Sequence, residues 1–200
     1  MCFLTVLSGI VSAQKDEKFK KSEFYVSYSN VFSNERNLDS EDLNGFEASA
    51  VYNFTRYFGV KGDFSAAFKS QRVSDTGYNG TGIFTRTFRR SSSVINALGG
   101  LQLKDNAEKG RIKPFAHALI GEAFTDSTVS DYQCTSIQPC SFYLIGSRDR
   151  SGFAAAVGGG LDVRIKNNVK VRAFQVDYNP IMFSSSGMQK NIRFGSGFVF

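Results

Sequence analysis

Eight stretches of this chain alternate large apolar side chains with small or polar ones at every second position, and none repeats at helical spacing. Period two sends alternate residues to opposite faces of a strand, so each stretch has a bulky face and a lean one. Phe24, Val26 and Tyr28 alternate with Tyr25, Ser27 and Ser29, and Phe46, Ala48, Ala50, Tyr52 and Phe54 with Glu47, Ser49, Val51 and Asn53. A third stretch sets Phe58, Val60, Gly62, Phe64, Ala66 and Phe68 against Lys61, Asp63 and Ser65. A fourth sets Ile95, Ala97, Gly99, Leu101 and Leu103 against Asn96 and Gln102. The fifth, Ile112 to Phe124, is less clean, because His117 and Glu122 fall on opposite parities. In the sixth, Phe153, Ala155, Val157, Leu161 and Val163 oppose Ala154, Ala156, Gly158, Gly160, Asp162 and Arg164. The seventh has Phe174, Val176 and Tyr178 against Ala173, Gln175 and Asp177, and the eighth Ile192, Phe194, Phe198 and Phe200 against Arg193, Gly195 and Gly197. The pattern predicts an all-β chain of eight strands with no helix. Only 3 Pro beside 20 Phe and 8 Tyr agree with that, since proline cannot donate to a ladder and aromatics favour strands. No apolar run approaches the ~18 residues that a membrane-spanning helix needs.

The connections carry a second signal. Those after the second, fourth and sixth strands are short (55–57, 104–110, 166–168), whereas those after the first, third, fifth and seventh are long and polar (33–44, 69–82, 126–151, 179–190). Long and short loops therefore fall at opposite ends of an up-and-down meander, the asymmetry of transmembrane barrels. Facing follows from size. Eight strands enclose a bore that a few side chains fill, so Phe58, Phe64 and Phe68 of a single strand are too bulky for it and belong on the lipid side. The lean face then lines the lumen. It carries Glu47, Asp63, Asp162 and Asp177 against Lys61, Arg164 and Arg193, with Asn96, Gln102 and Gln175 as bridging partners. Charges taken out of water have to be paired, so these seven are expected to form a lumen network. The expected fold is an eight-stranded antiparallel up-and-down transmembrane β-barrel over residues 23–200.

Residues 1–13 read as a truncated signal peptide. An apolar stretch ends in small residues, with Val11 and Ala13 at the −3 and −1 positions and cleavage between Ala13 and Gln14, although a positive leading segment is missing. An N-terminal strand is the other reading. Residues 14–22 form a polar tail on the periplasmic side. Removal of the signal takes Cys2 with it and leaves Cys134 and Cys140, six apart in a polar stretch, which suits a loop disulfide in an oxidising compartment. A single histidine and so few cysteines point away from metal or other cofactors. The formal charge of +6 is interspersed with acidic residues rather than gathered in a stripe, which points away from nucleic acid. Gly158-Gly159-Gly160 lacks the following helix of a phosphate loop, so close backbone approach or barrel curvature accounts for it better.

The C-terminal segment Asn191-Ile-Arg-Phe-Gly-Ser-Gly-Phe-Val-Phe200 ends in Phe with apolar residues at alternate positions before it. In this, and in Arg56–Asp63 and Val171–Tyr178, the chain resembles the small outer-membrane β-barrels of OmpA/OmpX type, over about residues 20–200. The resemblance implies an address in the outer membrane of a Gram-negative-type cell, and contact with its lipid and lipopolysaccharide. It also implies recognition by the outer-membrane assembly machinery through Ile192, Phe194, Phe198 and Phe200, with Ser196 departing from the pattern. Absent Trp is a second departure; Tyr52, Tyr57, Phe58, Tyr178 and Phe200 are the candidates for an aromatic girdle. Arg86, Arg89 and Arg90, beside Phe84 and Phe88, either touch lipopolysaccharide phosphates or sit solvated on a strand that protrudes above the membrane. Some envelope barrels are hydrolases with a His at the outer rim, but His117-Ala-Leu119 lacks the His-x-Ser of a lipid A deacylase. The expected role is therefore non-enzymatic: a structural or surface-interaction protein whose long external loops meet an unidentified ligand. A narrow small-solute pore is the alternative, followed by a lipid-A-modifying rim hydrolase and a soluble ligand-binding barrel such as a lipocalin.

Overall fold

In the computed structural model the chain forms eight strands: β1 Ser22–Asn34, β2 Glu41–Asn53, β3 Phe58–Tyr78, β4 Ile83–Lys104, β5 Ile112–Thr135, β6 Gly146–Lys166, β7 Val169–Phe183 and β8 Gly187–Val199. The structure describes residues 19–34, 41–78, 82–107, 110–135, 146–166, 169–184 and 187–200. Each strand pairs antiparallel with the next, and β8 pairs with β1 through Tyr25 opposite Val199 and Val26 opposite Phe198, which closes the barrel. Closure leaves no edge inside the membrane, where an unpaired backbone group would find no water.

Side-chain alternation fixes the facing. Phe24, Val26, Phe46, Phe64 and Phe194 lie on the outside at 43–61% exposure, while Glu47, Lys61, Asp63, Asp177 and Arg193 are buried in the bore at 5% or less. Along β3 the bulky outward residues run from Phe58 to Phe68. Ten residues at ~3.3 Å each, tilted by ~45°, cover about 23 Å, close to the apolar band of an outer-membrane barrel.

Three sequence expectations are corrected. First, three of the long connections, 69–82, 126–151 and 179–190, are mostly strand. β3 to β6 have 21, 22, 24 and 21 residues, against 13 to 15 for β1, β2, β7 and β8. Above the lipid band the alternation passes from apolar-against-polar to polar-against-polar, so periodicity loses its contrast. The backbone still pairs, from Lys69 opposite Ser92 to Tyr78 opposite Ile83. Hydroxyl pairs at Ser70–Ser91 and Thr76–Thr85, both 3.2 Å, tie that ladder together.

Second, β5 alternates cleanly. Lys113, Phe115, His117 and Leu119 point inward, and Glu122 points outward between Ile120 and Phe124. Third, β7 carries a bulge between Arg172 and Gln175 in its pairing with β8, and a register shift falls between Leu161 and Asp162 on the β6 side. Ala173 and Phe174 both face outward there, and Arg172 turns into the lumen at 1% exposure. Strict alternation would have put Ala173 inside and Arg172 in lipid; an extra residue in one strand reverses the parity.

The glycine run of β6 marks close approach. A Cβ on Gly158 would stand 2.1 Å from Asp177 Oδ1 and 2.3 Å from the Val176 carbonyl. One on Gly160 would stand 2.1 Å from the Phe174 carbonyl.

Candidate functional site

The bore is stacked in layers, and its middle is an ion network. Arg193 of β8 reaches three strands: Asp63 Oδ1 of β3 at 2.9 Å, Asp177 Oδ2 of β7 at 2.7 Å and Glu47 Oε2 of β2 at 3.7 Å. It also donates to Ser65 Oγ at 2.8 Å. Lys61 sits 3.3 Å from Glu47 Oε1 and 3.1 Å from Asp63 Oδ2. His117 Nε2 lies 2.9 Å from Asp177 Oδ1. Gln175 Nε2 donates to both Glu47 oxygens at 3.0 and 3.1 Å and to Asp177 Oδ2 at 2.7 Å.

A second layer lies nearer the short turns and contains groups that sequence reasoning missed. Lys104 bridges Glu23 and Asp162, the latter at 2.8 Å, and Lys170 also pairs with Glu23. Arg172 Nε meets Asp162 Oδ1 at 2.8 Å, with its guanidinium between the rings of Tyr25 and Phe115 at 4.0 and 3.8 Å. Parity gives no contrast at Glu23, which follows the polar N-terminal segment, or at Lys104, which precedes a polar turn. Of the seven charges expected in the network, Glu47, Lys61, Asp63, Asp177 and Arg193 share the middle layer, and Asp162 belongs to the second. Arg164 joins neither: it is half-buried at the foot of β6, and its Nε has no hydrogen-bond partner among the described residues. Of the expected bridging amides, Gln175 links the layers, since Arg172 Nη1 donates to its Oε1 at 2.6 Å, and Asn96 donates to Ser65 Oγ at 3.2 Å. Lys113 donates to the Asp105 carbonyl at 3.0 Å and to that of Ala107, closing the bore from below.

The middle layer holds three carboxylates against two permanent cations, and the second layer two against three. Each is off balance by one, with opposite signs. Together they carry five of each, and the Gln175–Arg172 hydrogen bond joins them. That arrangement satisfies buried charge without demanding a proton on His117.

Toward the long-strand end the lining turns apolar. Val31, Leu43, Val94, Leu98, Leu119, Ile181, Phe183 and four alanines form one buried cluster drawn from β1 to β7. On the remaining strand Gln189 donates to Ser33 Oγ at 2.7 Å and to Asn191 Oδ1 at 3.0 Å. The sequence expectation of a lean and polar bore is thus corrected for its outer third. Neighbouring apolar pairs such as Val94-Ile95 and Leu119-Ile120 erase the alternation there.

Above this layer rises a sheet made of the upper parts of β3, β4, β5 and β6. Among the described residues, pairing of β2 with β3 stops at Asn44–Phe68, and pairing of β6 with β7 stops at Phe153–Met182. Among the described residues, the four strands therefore project alone. A bulge in β5 opposite Phe88 holds Asp131 at φ 53°, a conformation Asp tolerates, and Asp131 pairs with Arg89 at 3.0 Å. Cys134, at the top of β5, is disulfide-bonded. Cys140 lies outside the described residues, as do Ala13 and Gln14 of the expected cleavage site.

All 200 residues match the family described as outer membrane protein beta-barrel domain. The chain belongs to this outer-membrane β-barrel family. Solved structures agree on the fold. The attachment invasion locus protein Ail of Yersinia pestis is similar at 17% identity and a TM-score of 0.53, covering 90% of this chain and 97% of that one. Neisserial surface protein A is similar at 11% identity and a TM-score of 0.56, with 92% and 98% covered. No curated protein matches the chain.

As an outer-membrane barrel, the protein turns its aromatic exterior to lipid. Ile192, Phe194, Phe198 and Phe200 all lie on that exterior at 43–52% exposure, and the Phe200 backbone pairs with Phe24 through bonds of 2.8 and 3.2 Å. Tyr52, Tyr57, Phe58 and Phe200 lie at the short-turn end on the side formed by β8, β1, β2 and β3, whereas Tyr178 lies further up, within β7. The long-strand end faces the exterior of the cell and the short turns the periplasm.

Proposed function

We propose that this is a non-enzymatic surface-interaction barrel whose external partner meets the projecting sheet, while the lumen serves to hold the cylinder closed. The observation that carries the reading is the division of labour between the two ends. Four strands extend well past the membrane on one side, and the bore beneath them is closed by an apolar layer over ion pairs. A pore needs a continuous wet path, and an apolar constriction opposes one. His117 supports the reading too. It is buried at 4% in the middle of the bore, held by Asp177 and stacked on Phe115 at 5.9 Å, away from any rim where a lipid would dock.

In this reading Ile192, Phe194, Phe198 and Phe200 form the strand that the assembly machinery recognises, and lipopolysaccharide packs on the aromatic exterior. A Cys134–Cys140 bridge stiffens the tip. The test shortens the projection, joining β3 to β4 and β5 to β6 by tight turns at the level of Phe68 and Phe124. The shortened barrel is expected to fold, shown by heat-modifiable gel migration. Cells displaying the full protein are expected to bind matrix-coated surfaces, and cells displaying the shortened barrel are expected not to. Binding undiminished by the shortening would refute the assignment.

A further inference from the structure

At the short-turn end, one row breaks the charge pattern of the bore. Lys113 of β5 stands opposite Asp162 of β6, and Asp162 stands opposite Arg172 of β7, so a carboxylate separates two cations. One row lower, Arg164 takes the middle place. It lies opposite Lys170 of β7, and its amide donates to the Arg111 carbonyl at 2.8 Å, which sets Arg111 on its other side. Arg111 shares the parity of Lys113, and Arg164 that of Asp162, so the three basic residues continue lumen-facing columns at the periplasmic mouth. Like charges set directly opposite on one face destabilise a sheet.

The carboxylates nearby are all committed. Glu23 is bound by Lys104 and Lys170, Asp162 by Lys104 and Arg172, and Asp105 by Arg56. Among the described residues, Arg111 and Arg164 therefore have no acidic partner, and neither has Lys166, exposed at the end of β6. In the adjoining turns Glu108 is offset by Lys109, and residues 167 and 168 are both Asn. Arg164 Nε is covered from solvent and receives no hydrogen bond in return, which is costly for a charged donor. On the other side of the mouth the N-terminal residues lie against the turns. Phe19 bridges to Ala107 there, and Asn53 Nδ2 donates to the Lys20 carbonyl at 2.8 Å.

We propose that Arg111 and Arg164, with Lys166 at the strand end nearby, hold a phosphate group at the periplasmic mouth. Neighbouring strands lie about 4.8 Å apart, so two long side chains can converge on one tetrahedral anion. Guanidinium forks bind such an anion in bidentate fashion. A phosphate beside Arg164 does for this row what Asp162 does for the row above. Ile112 and Ile165 flank the row on the lipid side, both exposed, so a phospholipid headgroup of the periplasmic leaflet and free phosphate can each reach it.

The test follows the urea midpoint of the refolded barrel in neutral detergent as inorganic phosphate replaces chloride at constant ionic strength. A ligand that binds only the folded state raises its stability. The parent is expected to gain more from phosphate than the Arg111→Gln/Arg164→Gln double variant, whose apparent phosphate affinity is expected to fall by about tenfold. In chloride alone the double variant is expected to unfold at no lower urea than the parent, because its row no longer repels itself. Arg72→Gln, on the projecting sheet, is expected to behave as the parent, and heat-modifiable migration confirms that each variant folds. A second arm places parent and double variant in phosphatidylcholine nanodiscs doped with phosphatidylglycerol. Phosphatidylglycerol enrichment around the parent alone, undiminished by added phosphate, supports the proposal with a lipid headgroup as ligand. A phosphate-dependent midpoint without enrichment supports it with free phosphate. Equal gains in parent and double variant, neither gain nor enrichment, a lower midpoint of the double variant in chloride, or a larger gain from succinate than from phosphate would each overturn it.

Discussion

Arg193 gathers carboxylates from three other strands and has nowhere to send its charge if one is lost. Asp177→Ala removes two of its hydrogen bonds and the partner of His117, and is expected to destabilise the barrel by about 3 kcal/mol. Urea unfolding in detergent measures this. Asp177, Arg193 and Lys61 were legible in the sequence because each lies inside a clean alternating run. Arg172 was not, since a single extra residue after it reverses the parity that period-two reasoning depends on. Outside the membrane, Asp105 in the β4–β5 turn is clasped by Arg56 Nε at 2.9 Å and accepts the Ala107 amide, which pulls its pKa down to about 2. A carboxylate depressed below its free value of ~3.9 stabilises the fold above that pH, and the contribution disappears as pH falls through the folded value. The drop in urea midpoint between pH 5 and pH 2 is therefore expected to be smaller in Asp105→Asn than in the parent. The difference is under ~1 kcal/mol, because water screens this half-exposed pair.

At the level of single strands, β3 shows how one element serves two solvents. Its lower half presents Phe58, Phe64 and Phe68 to lipid, and its upper half presents Ser70, Arg72, Ser74 and Thr76 to water. Phe64 lies near the middle of the apolar stretch, so Phe64→Arg is expected to cost ~2–4 kcal/mol in folding into lipid vesicles. Glycines separate by the same logic. Gly158→Ala drives a methyl into the β7 backbone and is expected to cost ~1–3 kcal/mol. Gly62→Ala enters open space on the lipid face and is expected to change the same unfolding midpoint little. The lower half of β3 was readable because size alternates there. The upper half reads as loop because both of its faces are polar, although the hydroxyl pairs that hold it follow the Ser and Thr spacing.

For the whole molecule, the decisive property is the order of the layers. Ion pairs fill the middle and the short-turn end of the bore and an apolar cluster lies toward the long-strand end, so planar-bilayer recordings of the purified protein are expected to show no stable conductance step. The fold class was visible from alternation and loop asymmetry together, because both follow from local chain chemistry. The apolar cluster was not, since its residues come from seven strands and become a layer only after the cylinder closes. Projection by β3 to β6 alone also breaks the rotational equivalence of the cylinder. Something descending from the medium finds a backstop on one flank and, among the described residues, a low sill on the other. The protein therefore has a heading within the plane of the membrane, and spinning about the bilayer normal changes which neighbour lies open to its projecting sheet.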